Sequence, residues 1–265
     1  MPDLHIGDVT LHYAQEGVGP PLLLIAGMIS DGASWAPLLP LLEPHFTVIR
    51  PDMRTTGQTT PWNAPASIPL FAQDCAALLA HLGLGPAHVM GHSLGGMIGW
   101  ELARAYPAQV RSLTLAASAP LRLERNVALF KTLAAIRTSN AAPDVWLRAL
   151  FPWLFAPALF EAEGAIEQAV AAALAYPFAQ TPQAMAHQIA ALDGYAPDAT
   201  APPTCPIQSL LAQDDLIMPA ALAQTVLGEV QTHMVPHAGH SIHWDAPDAV
   251  AAHLIRFTSH QKEPS

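Results

Sequence analysis

Short apolar runs alternate with longer amphipathic stretches over the first 116 residues, and the alternation returns after Pro206. Residues 9–15 alternate and stop at Gly17, as an edge strand does, whereas residues 22–26 (LLLIA) are apolar throughout, as a strand covered on both faces must be. Residues 46–50, 87–91 and 110–116 read as further strands, with helical spacing over 34–42, 69–82 and 94–106 between them. Gly83 and Pro107 stop two of those helices. Beyond Pro206 the order is strand 207–212, helix 219–227, strand 231–235 and helix 247–258. Such alternation predicts an α/β fold, a mostly parallel central sheet with helices on both faces. From 120 to 200 no strand is legible and alanine-rich helical stretches dominate. The expected organisation is a core of residues 1–119 and 201–265, with residues 120–200 inserted as a helical cap or lid.

Composition narrows the function. At 265 residues the chain can bury a large core without disulfide staples. Apolar residues make up 51% and charged residues 12%, about half the usual ~25% share, which argues against disorder. Acids outnumber bases 21 to 11, a net charge of −10. No large basic face can be built, so neither nucleic acid nor an anionic membrane surface is an expected partner. Cys75 and Cys205 form no CxxC pair and read as two buried free thiols of a reducing compartment. The opening MPDLHIGDVT lacks a basic n-region and an apolar h-region, and residues 22–29 are too short to cross a bilayer. A soluble, cytoplasmic protein is expected.

The most chemically specific stretch is Gly91-His92-Ser93-Leu94-Gly95-Gly96, a G-x-S-x-G motif directly between strand 87–91 and helix 94–106. A side chain at so sharp a turn is pushed out of the fold on strained backbone. Small residues two before and two after it avoid clashes across the turn. The helix that follows aims its N-terminal amides at the site and favours developing negative charge there. Serine is a poor nucleophile at neutral pH and needs an adjacent base, itself oriented by a third group. His240, in the loop after strand 231–235, is the best-placed base, and Asp214 and Asp215 follow strand 207–212 at once.

These residues resemble the α/β-hydrolase fold family, and the likeness runs over most of the chain outside 120–200. In that family the acid commonly lies four residues before a proline, as Asp215 does before Pro219. The catalytic histidine follows a glycine, as His240 follows Gly239, with Asp245 and Pro247 beyond it. The resemblance therefore implies a triad of Ser93, Asp215 and His240. It also implies an oxyanion hole from the main-chain N–H groups of Leu94 and of Met28, in the loop after strand 22–26. Two departures follow. The family's usual His-Gly pair corresponds to Ala26-Gly27-Met28, and the absent histidine leaves open how that loop is held. Within Asp52-Met53-Arg54-Thr55-Thr56-Gly57, Thr55 replaces a glycine, which implies a different loop shape.

Residues 146–155 are the most aromatic stretch of the chain. They read either as the private core of the helical insertion or as a roof in which Trp146, Phe151, Trp153 or Phe155 expels water and selects apolar substrates. Trp35 either faces the site or packs its helix, and His92 and His243 either line the pocket or are ordinary packed histidines. His233, His237, His240 and His243 lie close together, but without HExxH or CxxC they do not read as a metal site.

The chemistry expected is cofactor-free hydrolysis of a small apolar carboxylic ester or lactone through an acyl-enzyme. Gly95-Gly96-Met97-Ile98-Gly99 and residues 184–191 loosely resemble 3-oxoadipate enol-lactonases and antibiotic methylesterases. A cofactor-free haloperoxidase, perhydrolase or C–C bond hydrolase uses the same triad, and these alternatives stay open. Serine at position 93 disfavours the haloalkane dehalogenases, which resemble an aspartate nucleophile. A ligand receptor with little turnover keeps the pocket but does not need all three groups. A homo-oligomer is compatible with the sequence.

Overall fold

The computed structural model describes residues 2–198 and 201–261. Its strands are β1 (Asp3–Ile6), β2 (Val9–Glu16), β3 (Pro21–Ile25), β4 (Thr47–Pro51), β5 (Ala87–His92), β6 (Val110–Ala116), β7 (Ile207–Ala212) and β8 (Gln231–Val235). They form one sheet in the order β1-β2-β4-β3-β5-β6-β7-β8. The β1–β2 and β2–β4 pairs are antiparallel, and every pair from β4 to β8 is parallel. All but β1 lie within one residue of their predicted bounds. Strand β1 is a four-residue edge with Leu4 and Ile6 half-buried, joined to β2 through Gly7 and Asp8, with Ile6 opposite Val9.

The helices are α1 (Leu39–Leu42), α2 (Ile68–Leu82), α3 (Leu94–Ala105), α4 (Glu124–Arg137), α5 (Val145–Leu154), α6 (Pro157–Glu161), α7 (Ala165–Ala175), α8 (Pro182–Asp193), α9 (Ala220–Leu227), α10 (Ile242–Asp245) and α11 (Pro247–Ser259). The helix expected over 34–42 is corrected: a 3₁₀ turn, Gly32–Trp35, is followed by the single turn α1. Pro37 and Pro40 each lack an N–H, so two of the hydrogen bonds that one continuous helix needs cannot form.

Strand β3 is buried along its whole length, and its alternate residues feed two cores. Leu23 and Ile25 join Phe71, Leu78, Ile98 and Leu102 under α2 and α3. Leu22 and Leu24 join Leu42, Val250 and Leu254 under α1 and α11. Helices α4 to α8 follow β6 and precede β7. Their buried residues Leu147, Leu150, Phe151, Met185 and Ile189 belong to the same apolar cluster as α2 and α3. The helical segment therefore shares the main core, and the expectation of a private core is corrected. Cys75 is buried and Cys205 only half-buried, and both are free. Among the described residues no helix is long and apolar enough to cross a membrane.

Candidate active site

Strand β5 ends at His92 and α3 begins at Leu94, so Ser93 stands alone at the turn. Its backbone takes φ 53° and ψ −119°, which an L-residue adopts only under strain. The neighbouring glycines are required by close approach. A Cβ on Gly91 would meet the Gly95 carbonyl oxygen at 2.1 Å, and one on Gly95 would meet the Ile25 carbonyl oxygen at 2.0 Å. The Ser93 N–H donates to the Ala116 carbonyl at 3.0 Å, and the Ser118 hydroxyl donates to the Ser93 carbonyl at 2.6 Å. These bonds tie the turn to the end of β6.

The loop after β8 brings His240 to this turn, with Nε2 2.8 Å from Ser93 Oγ. On the other side of the ring, Nδ1 lies 2.9 and 3.0 Å from the two Asp215 carboxylate oxygens. The Asp215 Oδ1 also accepts the N–H groups of Ile217 and Met218, both at 2.8 Å. Its carboxylate is thus fixed by its own turn before it meets the imidazole. Asp214 instead gives its N–H to the Ala238 carbonyl at 2.9 Å.

Four further hydrogen bonds fix the histidine loop. Asp245 Oδ2 accepts from the Gly239 N–H at 2.8 Å and from the Ala156 N–H at 2.9 Å, which joins the loop to the end of α5. The Ser241 N–H donates to the Leu154 carbonyl at 2.7 Å. His92 Nε2 donates to the His240 carbonyl at 2.8 Å. Burial raises the Asp245 carboxyl above the ordinary range, against the pull of its two N–H donors.

Met28 and Leu94 line the space in front of Ser93, together with Met97, Phe130, Leu192 and Met218. Asn126 is the polar exception, and its Nδ2 donates to the Ile217 carbonyl at 2.9 Å. Leu94 is the first residue of α3, where an N–H has no intrahelical acceptor. The free volume is about 20 Å³, room for about one water molecule.

The aromatic residues expected around the pocket sit elsewhere. Trp35 is fully buried in the second core, its ring 4.7 Å from that of His243. His92 lies behind His240, and burial with the neighbouring His240 charge pushes its imidazole down to about 3. His243 is held well below its ordinary value, first by burial and then by His92. Trp146 lies under the Arg137 guanidinium, 4.4 Å from its ring centre. Phe151 packs edge-on against Phe155 at 5.3 Å within the main core, and Trp153 lies against that core. The cause is common to all seven: each side chain finds an apolar or stacking partner in the fold and does not border the cavity. Thr55 takes φ 78°, a left-handed backbone of the kind that favours glycine. Asn126, Gln188 and Asp245 carry polar contacts around the site that sequence reasoning did not assign. Only Asp245 had a signal, its fixed step after His240.

Residues 20–247 match the family described as alpha/beta hydrolase fold. The chain belongs to that family. A relative from Azorhizobium caulinodans, named "Putative carbamate hydrolase RutD", is 34% identical over 234 residues, 86% of either chain. The solved enol-lactonase of Burkholderia xenovorans LB400 has a TM-score of 0.84 at 21% identity, over 98% of this chain and 100% of its own, and shows the fold alone. The "Putative non-heme bromoperoxidase BpoC" of Mycobacterium tuberculosis H37Rv has a TM-score of 0.82 at 25% identity, over 96% of this chain and 97% of its own. As an α/β hydrolase this chain is an enzyme of the hydrolase kind. Among the described residues of this α/β hydrolase, no three histidine, cysteine or acidic side chains are grouped to hold a metal ion.

Proposed function

We propose that this α/β hydrolase cleaves a small carboxylic ester or lactone through an acyl-enzyme on Ser93. The observation that carries the reading is the unbroken chain from Ser93 Oγ to His240 Nε2 at 2.8 Å and from Nδ1 to Asp215 at 2.9 Å. Ser93 Oγ attacks the carbonyl carbon while His240 Nε2 takes its proton. Asp215 holds the reactive tautomer and stabilises the imidazolium. The N–H groups of Met28 and Leu94 receive the charge that develops on the carbonyl oxygen, a contribution of about 3–4 kcal/mol per donor. His240 then returns the proton to the departing oxygen, water attacks the acyl group with the same base, and Ser93 is regenerated. No cofactor enters the cycle.

The narrow space in front of Ser93 supports a small substrate, and its apolar lining supports an uncharged one. Residues 120–200 act in this reading as a cap that excludes water from the reaction. A second reading, a small carbamate, is favoured by the 34% identical relative named for that activity. The attack and proton transfers are unchanged, and a carbamoyl group takes the place of the acyl group on Ser93.

The test is a panel of short p-nitrophenyl esters, lactones and p-nitrophenyl carbamates, run on wild type and Ser93→Ala, with fluorophosphonate labelling followed by mass. Wild type is expected to turn over at least one class and to label at Ser93, while Ser93→Ala does neither. Equal turnover by Ser93→Ala, or ligand binding without turnover or labelling, overturns the reading.

A further inference from the structure

The loop that carries Met28 has an unusual support. Gly27 is pressed against the nucleophile turn: a Cβ there would lie 2.8 Å from His92 Nδ1 and 3.2 Å from Ser93 Cβ. Two residues on, Ile29 takes φ 65°. A β-branched residue in the left-handed region is a genuine outlier, and such backbone persists only where its surroundings hold it. The holding group is Gln188 of α8, whose Oε1 accepts the Ile29 N–H at 2.9 Å across 159 residues of chain. Gln188 is 1% exposed. The same oxygen accepts from Gln180 Nε2 at 3.2 Å, and that nitrogen also donates to the Thr55 carbonyl at 2.9 Å. One carboxamide oxygen thus joins the helical segment to the loop after β3, while Gln180 carries the connection to the loop after β4.

We infer that Gln188 is a positioning residue for the oxyanion hole, and that the helical segment completes the hole through it. The inference rests on the reading of Met28 as an oxyanion donor. The Ile29 N–H lies in the peptide plane between Met28 and Ile29. Pinning that plane fixes Met28 on one side, as the packed Gly27 fixes it on the other. Without the Gln188 acceptor, the strained loop relaxes and the Met28 N–H turns away from the oxygen it serves. A displacement of about 1 Å at a reacting centre costs on the order of a hundredfold in rate. Motion of the helical segment away from the core would break the same bond, so a hole assembled this way is complete only when the segment is docked.

The test compares Gln188→Met with His187→Leu. The two residues are adjacent on α8, and His187 ties the helix to a different place, its Nε2 donating to the Ala64 carbonyl at 2.7 Å. With p-nitrophenyl acetate, Gln188→Met is expected to lose about tenfold to a hundredfold in kcat with KM within about twofold, and to label with fluorophosphonate correspondingly more slowly. His187→Leu is expected to keep its kcat within about threefold, although it too removes a tie between α8 and the core. If Gln188→Met does not fold by circular dichroism, Gln180→Leu replaces it, with a smaller loss in kcat at constant KM expected. Unchanged kcat in the folded variant, or an equal loss in His187→Leu, overturns the inference. Turnover by wild type that survives Ser93→Ala overturns the underlying reading instead.

Discussion

His92 Nε2 donates to the main-chain carbonyl of His240 at 2.8 Å, so the residue before Ser93 holds the backbone of His240. The bond fixes the His92 tautomer, since the carbonyl can only accept and Nε2 must carry the proton. Replacement by leucine keeps the volume roughly and leaves a buried carbonyl without its donor. His92→Leu is expected to lose about 1–3 kcal/mol of stability in urea titration at pH 7.5. Its kcat should fall about tenfold as His240 loses its register with Ser93. Full activity and full stability together would contradict the role.

The same burial makes the fold acid-sensitive. Burial pushes His92 down to about 3 and His88 down to about 4, and it holds His243 well below its ordinary value. In the unfolded chain these rings titrate near 6.5, so between about pH 6.5 and 4 the unfolded state binds more protons than the folded one. Stability is therefore complete above pH 6.5 and falls as the pH drops through this window. Each ring contributes a loss of at most about 2 kcal/mol between pH 6.5 and 5. Urea midpoints at pH 7.5, 6.5 and 5.5 should decline for wild type and decline less for His92→Leu. A midpoint independent of pH across this range would exclude the burial of neutral rings.

The two adjacent aspartates separate cleanly by partner. Asp215 holds His240 Nδ1 at 2.9 Å, while the Asp214 backbone serves the turn through Ala238. Asp215→Asn keeps the shape and presents the wrong tautomer to Ser93, so kcat should fall about 10³–10⁴-fold. Asp214→Asn should stay within about threefold of wild type. Steady-state kinetics on the best ester of the panel reads both, and the reverse ranking would transfer the acid role to Asp214.

The parts of this site that depend on local order were legible in the residues. LLLIA at 22–26 needs cover on both faces, and Ser93 between a strand and a helix needs glycine at 91 and 95 because backbone passes within bonding distance there. What stayed hidden was long-range partnership. Gln188 meets Ile29 across 159 residues and His92 meets the His240 carbonyl across 148, and neither pairing leaves a periodicity or a spacing. The aromatic run 146–155 misled for a related reason. Its composition signals burial, but whether Phe151 faces Ser93 or the shared core depends on how α5 is rotated, which its neighbours decide. Strand β1 was missed because four residues, with only Leu4 and Ile6 turned to the core, are too short a pattern to register.

The size of the space before Ser93 sets a limit on the acyl group. The space is narrow and walled by Met97, Phe130, Leu192 and Met218, so acetate esters should react faster than butyrate or hexanoate unless the helical segment moves. Leu123 offers a way to widen it at low cost: it lines the cavity from the N-terminal cap of α4 and is only partly buried. Leu123→Ala removes three carbons from the wall. A partly exposed site of this kind should lose about 1–2 kcal/mol, below the 2–5 kcal/mol of a fully buried leucine. The variant is expected to raise kcat/KM for p-nitrophenyl butyrate relative to acetate by about tenfold, the usual worth of one or two methylenes in an apolar pocket. An unchanged ratio would mean that the acyl chain leaves the site by another wall, and Phe130 or Leu192 would then be the side chains that meet it.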